Sequence, residues 1–259
     1  MRSRTAKIAH LVAGNIFYII YREMLKPNKI YCWDCLELMK QIPDKSIDLV
    51  ITDPPYLIEN TRAGWKSNLA ESIQWMNTEL WEWILTEWIT DEYLEELVRV
   101  CKNINIYLRC NHKQIKQYLD FFVWKYECKF DILIWNKTNA APLFHNKYLT
   151  DKEYCLYFRK WWYCDPKSYE SAKTVFNGPI NIIDKNLRWH PTIKPLEIIK
   201  RLVDNSSKIW DTILDPFLWS WTTAIACKEL GRNRIGIEIK QKYVDIANER
   251  LKTTTVSLF

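Results

Sequence analysis

Residues 211–239 read "DTILDPFLWSWTTAIACKELGRNRIGIEI", and this stretch decides the fold. Its opening apolar run is followed by the helix-like "TTAIACKEL" (222–230) and by a second apolar run, "RIGIEI" (234–239). Strand, helix and strand in this order predict one unit of a parallel sheet, because parallel neighbours need a crossover connection. The turn before the helix is where nucleotide-binding proteins place glycine, yet here it holds Trp219 and Trp221.

The same alternation of apolar runs and helix-like stretches extends over most of the chain. Further strands are predicted at 29–32, 47–53, 104–110, 130–136 and 153–159, and further helices at 35–42, 91–102, 195–207 and 240–252. Strands that alternate with helices indicate an α/β fold, with a parallel sheet and helices on both of its faces. Ligands of such sheets bind beyond the carboxyl ends of the strands, so functional residues are expected there.

The composition is that of a globular protein with a mild excess of positive charge. The 259 residues are 48% hydrophobic and 26% charged, and the net charge is +6. A chain of this length can form one large domain or two small ones, with a substantial core. The positive charge suits a polyanionic partner, because lysine and arginine displace counterions from phosphate.

The cysteines and the N-terminus predict where the protein resides and where its domain begins. Cys32 and Cys35 form a C-x-x-C pair, but no second pair at zinc spacing follows, so we expect no metal site and free thiols in a reducing cytoplasm. The apolar stretch near the N-terminus is too short to span a membrane. We interpret residues 1–27 as an N-terminal extension outside the fold and residues 28–259 as a single domain, without membrane contact.

The sequence "VITDPPY" (50–56) places a carboxylate at the end of a predicted strand. Pro54 and Pro55 cannot continue a sheet, so they form a rigid corner after Asp53. The Asp53 carboxylate and the Pro54 carbonyl can together accept both hydrogens of an exocyclic amino group. The ring of Tyr56 can stack on the base that carries this group.

This corner resembles the catalytic motif (D/N/S)-P-P-(Y/F/W) of the amino-methylating DNA methyltransferases. The form "DPPY" is most typical of the enzymes that methylate adenine N6, whereas cytosine-N4 enzymes more often carry serine first. Three further stretches resemble motifs of the same family: "DPFLWSWTT" (215–223), "HPTIKP" (190–195) and "YCWDCLELM" (31–39). The cofactor motif follows the catalytic motif, which is the permuted order of the β group, and the resemblance covers roughly residues 28–250.

The resemblance implies a Rossmann-like methyltransferase sheet with circularly permuted motif order and S-adenosylmethionine as the cofactor. It implies catalytic roles for Asp53, Pro54, Pro55 and Tyr56. It implies cofactor contacts for Asp34, Lys194, Asp215, Phe217, Trp219, Ser220, Trp221, Thr222 and Glu238. Asp34 is expected at the adenine of the cofactor, Glu238 at its ribose hydroxyls and Lys194 at its methionine carboxylate. The D-P-P-Y motif alone is moderately specific, and the common order and spacing of all the motifs make the assignment.

The resemblance also implies that double-stranded DNA is the substrate and that the target base is rotated out of the duplex. We expect methylation of adenine N6, with cytosine N4 as the alternative of the same chemistry. The chain has no Pro-Cys pair, which argues against cytosine-C5 chemistry. DNA-recognition insertions are predicted near 57–90 and 137–188, with lysines such as Lys137 and Lys173 as DNA contacts. A restriction endonuclease partner and a homodimer are left open.

Tryptophan stands where the family has glycine, at Trp219 and Trp221 in the cofactor turn and at Trp33 and Trp210. The chain contains 14 tryptophans and only 5 glycines. Three explanations are open: a non-catalytic DNA-binding relic, an unusual pocket, or glycine codons written as tryptophan. Some organisms read UGA as glycine and others as tryptophan, so the wrong decoding table exchanges the two residues. We favour the third explanation, because the other motif residues are preserved.

Overall fold

The computed structural model describes residues 11–12, 15–16, 25–55, 89–140, 142, 146, 148–161, 164–180, 194–219 and 221–256. Over these residues the chain forms an eight-stranded sheet and a separate pair of short strands, β1 (Leu11–Val12) and β2 (Asn15–Ile16). The strands of the large sheet are β3 (Lys29–Cys32), β4 (Leu49–Thr52), β5 (Asn105–Cys110), β6 (Lys129–Lys137), β7 (Lys152–Arg159), β8 (Val175–Gly178), β9 (Thr212–Asp215) and β10 (Asn233–Glu238).

The large sheet has the strand order β3-β10-β9-β4-β5-β7-β6-β8. The strands from β3 to β5 in this order are parallel, as the sequence pattern predicts. The expectation of a fully parallel sheet is wrong, because β7 runs antiparallel to both of its neighbours, β5 and β6. Periodicity identifies a strand but not its direction, so this reversal has no signal in the sequence.

Seven α-helices are present in the described part of the chain, and a π-helical turn (Asp120–Lys125) continues the third. They are α1 (Cys35–Met39), α2 (Asp91–Val100), α3 (Ile115–Leu119), α4 (Tyr169–Ala172), α5 (Leu196–Ser206), α6 (Thr222–Glu229) and α7 (Gln241–Thr253). The predicted helices are all confirmed, whereas α3, α4 and the strand β8 were not predicted. Among the described helices, none is long and apolar enough to cross a membrane.

The side chains of β4 pack alternately on the two faces of the sheet, because successive residues of a strand point in opposite directions. Val50 belongs to the core on one face, together with Met39 of α1 and Leu97 of α2. Leu49 and Ile51 belong to the core on the other face, which α5 and α6 cover. All of β4 is buried. The predicted α/β fold with helices on both faces is therefore confirmed.

The point where β4 and β9 meet is a topological switch point. From β4 the chain passes through α2 to β5, whereas from β9 it passes through α6 to β10 on the opposite side. Ligands of open α/β sheets bind in the crevice at such a reversal. Asp53, which follows β4, and Asp215, which ends β9, therefore lie at the same edge of the sheet. β4, which leads to the predicted catalytic corner, precedes β9, which leads to the predicted cofactor turn, and this is the permuted order.

The predicted domain limits differ from the structure in two places. Region 137–188 is more than an insertion, because it contains α4, β8 and the internal strand β7. Leu25 packs against the core, and the amide of Lys26 donates a hydrogen bond of 2.6 Å to the Tyr31 hydroxyl, so the fold begins before residue 28. The greater part of region 57–90 lies outside the described residues.

Candidate active site

The predicted catalytic corner, which begins with Asp53, Pro54 and Pro55, follows β4 directly and receives a hydrogen bond from the start of α3. Pro54 is buried, and Asp53 lines a cavity with 20% of its side chain exposed. The side-chain amide of the buried Gln114, at the start of α3, donates a hydrogen bond of 3.1 Å to the Pro55 carbonyl. Sequence reasoning missed Gln114, because no local motif connects it to the corner. Tyr56 lies outside the described residues.

A cluster of five charged side chains lies beside the corner. Lys194 Nζ is 3.1 Å from Oδ2 of Asp53 and 2.9 Å from Oε2 of Glu153. Glu153 Oε1 is 2.9 Å from Lys137 Nζ, and its Oε2 is 3.9 Å from Nη2 of Arg109. Asp53 and Lys194 were predicted as site residues, whereas Arg109, Lys137 and Glu153 come from three strands and were not. Lys137, predicted as a DNA contact, instead pairs with Glu153 and has 14% of its side chain exposed.

The members of this cluster stabilise one another's charges. Burial alone would raise the pKa of Glu153, but Lys194, Lys137 and Arg109 outweigh it and hold that pKa well below its usual range. Burial alone would lower the pKa of Lys194, but the Asp53 and Glu153 carboxylates outweigh it and raise that pKa above its usual value. Glu153 and Lys194 are therefore both ionised at neutral pH.

Strand β9 ends in Asp215, whose carboxyl group is buried next to the corner. Its Oδ1 accepts a hydrogen bond of 3.2 Å from the amide of Phe217. Burial raises the pKa of Asp215 to about 7. The charge of Asp53 also raises this pKa, whereas hydrogen bonds to the carboxylate lower it. The Thr222 hydroxyl, at the start of α6, donates a bond of 3.4 Å to the Lys194 carbonyl. The cofactor turn and the charged cluster are therefore directly connected.

Trp219 lines two neighbouring cavities. Predicted residues in the larger one are Asp34, Phe217, Trp219 and Glu238. Predicted residues in the smaller one are Asp53, Lys194, Asp215, Phe217, Trp219 and Thr222. The structure thus brings these predicted residues together in two groups, and Phe217 and Trp219 belong to both. Ser220 lies outside the described residues.

The larger cavity combines two carboxylates with aromatic surfaces. The Asp34 carboxylate accepts a hydrogen bond of 3.0 Å from the Glu37 amide and so caps α1. Glu238 Oε1 accepts a bond of 2.9 Å from the Lys240 amide, and burial raises the pKa of Glu238. The ring centroids of Tyr93 and Phe217 are 6.0 Å apart. The carboxylates of such a cavity can accept hydrogen bonds from the hydroxyl groups of a ribose, and its aromatic rings can pack against a purine.

Three of the anomalous tryptophans have left-handed backbone conformations. The φ angle is 72° at Trp210, 22° at Trp219 and 50° at Trp221. Glycine adopts this region without strain, whereas a bulky side chain there is an outlier. The backbone therefore has the geometry of glycine at these three positions.

The side chain of Trp221 points away from the predicted site. Its indole is fully buried in a core cluster with Leu218 and with Tyr243 of α7, and the Arg250 guanidinium lies 5.5 Å from its ring centroid. The described lining of the two cavities does not include Trp221. Of the two tryptophans predicted as cofactor contacts, Trp219 therefore lines the cavities, whereas the indole of Trp221 belongs to the core.

These features together define the class of protein. A switch point between β9 and β4, a pocket with acidic and aromatic residues and an Asp-Pro-Pro corner beside it are the parts of an S-adenosylmethionine-dependent methyltransferase. Comparison with known proteins identifies the family. The DNA methylase model of the N6/N4 methyltransferases matches residues 47–249. The chain belongs to this family and is an S-adenosylmethionine-dependent DNA methyltransferase.

Individual relatives agree with this assignment. The type II methyltransferase M.HinfI of Haemophilus influenzae is 31% identical over 259 residues, which cover 87% of this chain and 68% of the relative. The type II methyltransferase M2.MboI of Moraxella bovis is 28% identical over 244 residues, which cover 87% of this chain and 88% of the relative.

Two solved structures share the architecture. The M1.HpyAVI complex with S-adenosylmethionine has a TM-score of 0.61 and 25% identity, and the match covers 86% of this chain and 98% of that one. The cytosine-N4-specific PvuII DNA methyltransferase has a TM-score of 0.65 at 16% identity, with 85% of each chain covered, which is a likeness of fold.

Proposed function

We propose that this methyltransferase acts on the exocyclic N6 of an adenine that is rotated out of double-stranded DNA. The observation that carries the proposal is the Asp53 carboxylate at a fixed Asp-Pro-Pro corner, on the cavity that also contains Lys194 and Asp215. Aspartate in the first position of this motif favours adenine N6 over cytosine N4.

In this proposal the corner binds the target amino group. The Asp53 carboxylate and the Pro54 carbonyl accept its two hydrogens, which keeps the nitrogen lone pair directed outward. The bond from Gln114 to the Pro55 carbonyl supports this geometry. Asp53 also stabilises the positive charge that develops on the nitrogen. Tyr56 is proposed to stack on the base.

The cofactor supplies the methyl group, and the residues around the larger cavity are proposed to hold its adenosyl part. Asp34 and Phe217 are assigned to the adenine and Glu238 to the ribose, in keeping with their carboxylate and ring chemistry. Lys194 is assigned to the methionine carboxylate, and Asp215, Ser220 and Thr222 to the adjoining turn. These residues fit the cofactor, but Trp219, with its bulky side chain, lines both of the cavities that the cofactor would have to span.

We therefore also propose that glycine is the residue at positions 219 and 221, and at 33 and 210, in the protein that the organism makes. Three of these positions have left-handed φ angles, and glycine at 219 would join the two cavities. The alternative from another class, a non-catalytic DNA-binding relic, requires that the changes fell on glycines while Asp53, Lys194 and Glu238 stayed intact.

The decoding proposal is tested on the gene and on the protein. We expect UGA codons at 33, 210, 219 and 221, and UGG at all four would overturn the proposal. In a titration with S-adenosylmethionine, we expect no binding by the chain as written and binding after Trp219→Gly with Trp221→Gly. Tight binding by the chain as written would instead support the unusual pocket.

The adenine proposal is tested by methyl transfer followed by nucleoside analysis. Double-stranded DNA is incubated with methyl-labelled S-adenosylmethionine and the protein that binds it, and is then digested to nucleosides. We expect the label in N6-methyladenine. Label in N4-methylcytosine would assign the enzyme to the alternative, and cofactor binding without transfer to DNA of mixed sequence would favour the relic.

We further propose that the exposed residues of region 137–188 contact DNA. Tyr148, Trp161 and Tyr169 have 98%, 66% and 80% of their surfaces exposed. Together with lysines such as Lys160 and Lys173, they offer ring surfaces and positive charge to a duplex. A cytoplasmic location, a homodimer and a restriction endonuclease partner are the remaining proposals, and co-purification from the source organism tests the last two.

A further inference from the structure

The charged cluster beside the catalytic corner is built around Glu153 of β7. Glu153 touches Lys194 on one side and Lys137 on the other, with Arg109 of β5 at 3.9 Å. Lys194, in turn, is the residue that connects Glu153 to Asp53, at 2.9 Å and 3.1 Å. The catalytic carboxylate and Glu153 therefore share one buried ammonium group.

This sharing bears on the chemistry assigned to Asp53. A lysine that paired with Asp53 alone would compete with the target amino group for the same carboxylate oxygens. Glu153 gives the Lys194 ammonium a second carboxylate, so that its charge stays compensated when Asp53 turns to a substrate amine. Lys137 and Arg109 fix Glu153 from its far side, which keeps this second partner in place.

Lys194 is also the residue assigned to the methionine carboxylate of the proposed cofactor. It lies on one cavity with Asp53 and Asp215, and Glu153 holds it there from β7. When the Asp53 carboxylate turns to the substrate amine, the Lys194 ammonium can pair with the cofactor carboxylate in its place.

We propose that Glu153 is a positioning residue, which holds Lys194 so that Asp53 is released to the substrate amine and the Lys194 ammonium is directed to the cofactor carboxylate. The inference rests on the proposed function, because it assigns Asp53 to the amine and Lys194 to the cofactor. It adds a residue that no sequence motif contains, with a role separate from binding either substrate.

The kinetic test compares Glu153→Gln with its parent, where the parent is the form of the protein that binds S-adenosylmethionine. Without the Glu153 charge, Lys194 pairs with Asp53 more strongly, so we expect kcat to fall about 10- to 100-fold. The Glu153 charge repels the cofactor carboxylate, so its removal should not raise KM for S-adenosylmethionine. Glu153→Asp should restore part of kcat. Glu229→Gln, which removes a carboxylate paired with Lys200 at 3.2 Å far from the site, is the matched control and should leave both constants unchanged.

A second measurement does not depend on activity. In protein with ¹³C-labelled lysine, the ε-carbon resonance of Lys194, assigned by its loss in Lys194→Met, should titrate at lower pH in Glu153→Gln than in the parent, because one of its two carboxylate partners is lost. An unchanged titration, or a kcat equal to that of the parent, would overturn the proposal. A parent that transfers no methyl group would contradict the proposed function instead, and the lysine titration would still test the role of Glu153.

Discussion

The ends of β4 and β9 lie side by side in the sheet, yet they relate to their sequences in opposite ways. After β4, the side chains are those of the family motif: Pro54 is buried, and the Pro55 carbonyl accepts a hydrogen bond from Gln114. After β9, Trp219 and Trp221 have left-handed φ angles, which suit the glycines of the family motif but not tryptophan. One strand end thus agrees with the motif in side chains, and the other in backbone only.

The difference shows where a substitution leaves the fold unchanged. The indole of Trp221 packs in the core beneath α7, whereas Trp219 lines both cavities. The strand before this turn and the helix after it are both formed. The two tryptophans are therefore compatible with the surrounding sheet, and one of them changes the lining of the candidate site.

The largest expected effect is at the β9 end, where Asp215→Asn tests whether a buried charge opposes folding. The pKa of Asp215 is about 7 in the folded protein. Between about pH 4 and pH 7, Asp215 is therefore protonated in the folded protein but ionised in the unfolded chain. Its contribution to stability is therefore lost as the pH rises through this window. The free energy of unfolding of Asp215→Asn, relative to the parent, should rise by on the order of 4 kcal/mol across it.

Urea unfolding at about pH 5 and about pH 8 measures the part of this difference that falls between these pH values, on the order of 3 kcal/mol. Asp245→Asn, at an exposed carboxylate of α7, is the control. A relative stability that stays constant between the two pH values would mean that the Asp215 carboxylate is not penalised by burial.

The next effect is at the β4 end, where Gln114→Leu removes the hydrogen bond to the Pro55 carbonyl. The corner would lose a fixed contact while the charged cluster stays intact, so we expect kcat to fall about tenfold. Steady-state kinetics in the cofactor-binding background measure it. Gln117→Leu, on the same helix but bonded to the Ile89 carbonyl, should keep the kcat of the parent. Equal losses in both variants would mean that α3 as a whole, and not this bond, supports the corner.

The smallest effect separates backbone strain from packing. Trp210 has a φ of 72° and is 76% exposed, so Trp210→Gly relieves strain while it loses little buried surface. We expect stabilisation by about 1 kcal/mol. The relief of backbone strain stabilises the variant, and the greater conformational entropy of glycine in the unfolded chain offsets part of this gain. Trp33→Gly, at an exposed position outside the left-handed region, should not stabilise the protein. Thermal unfolding of both variants distinguishes the two results.

Local patterns predicted most of the fold and the residues with an obvious motif. The strands that carry Asp53 and Asp215, and the helices between them, follow from periodicity, because one buried face imposes a regular pattern. The antiparallel direction of β7 could not be predicted, since it depends on which strands pair. Glu153, Arg109 and Gln114 were missed for the same reason: each reaches the site from a different element, and the sheet order alone brings them together.

The position of β4 between β5 and β9 also has a consequence for how the protein folds during synthesis. Its partner β5 follows soon in the chain, but β9 is made only after β6, β7 and β8. A nascent chain thus holds β4 with one edge unpaired for most of its translation, and contacts between segments so far apart in sequence form slowly. Asp53 is synthesised long before the turn at 215–223, so a chain that is interrupted between them lacks one of the two strand ends that form the candidate site.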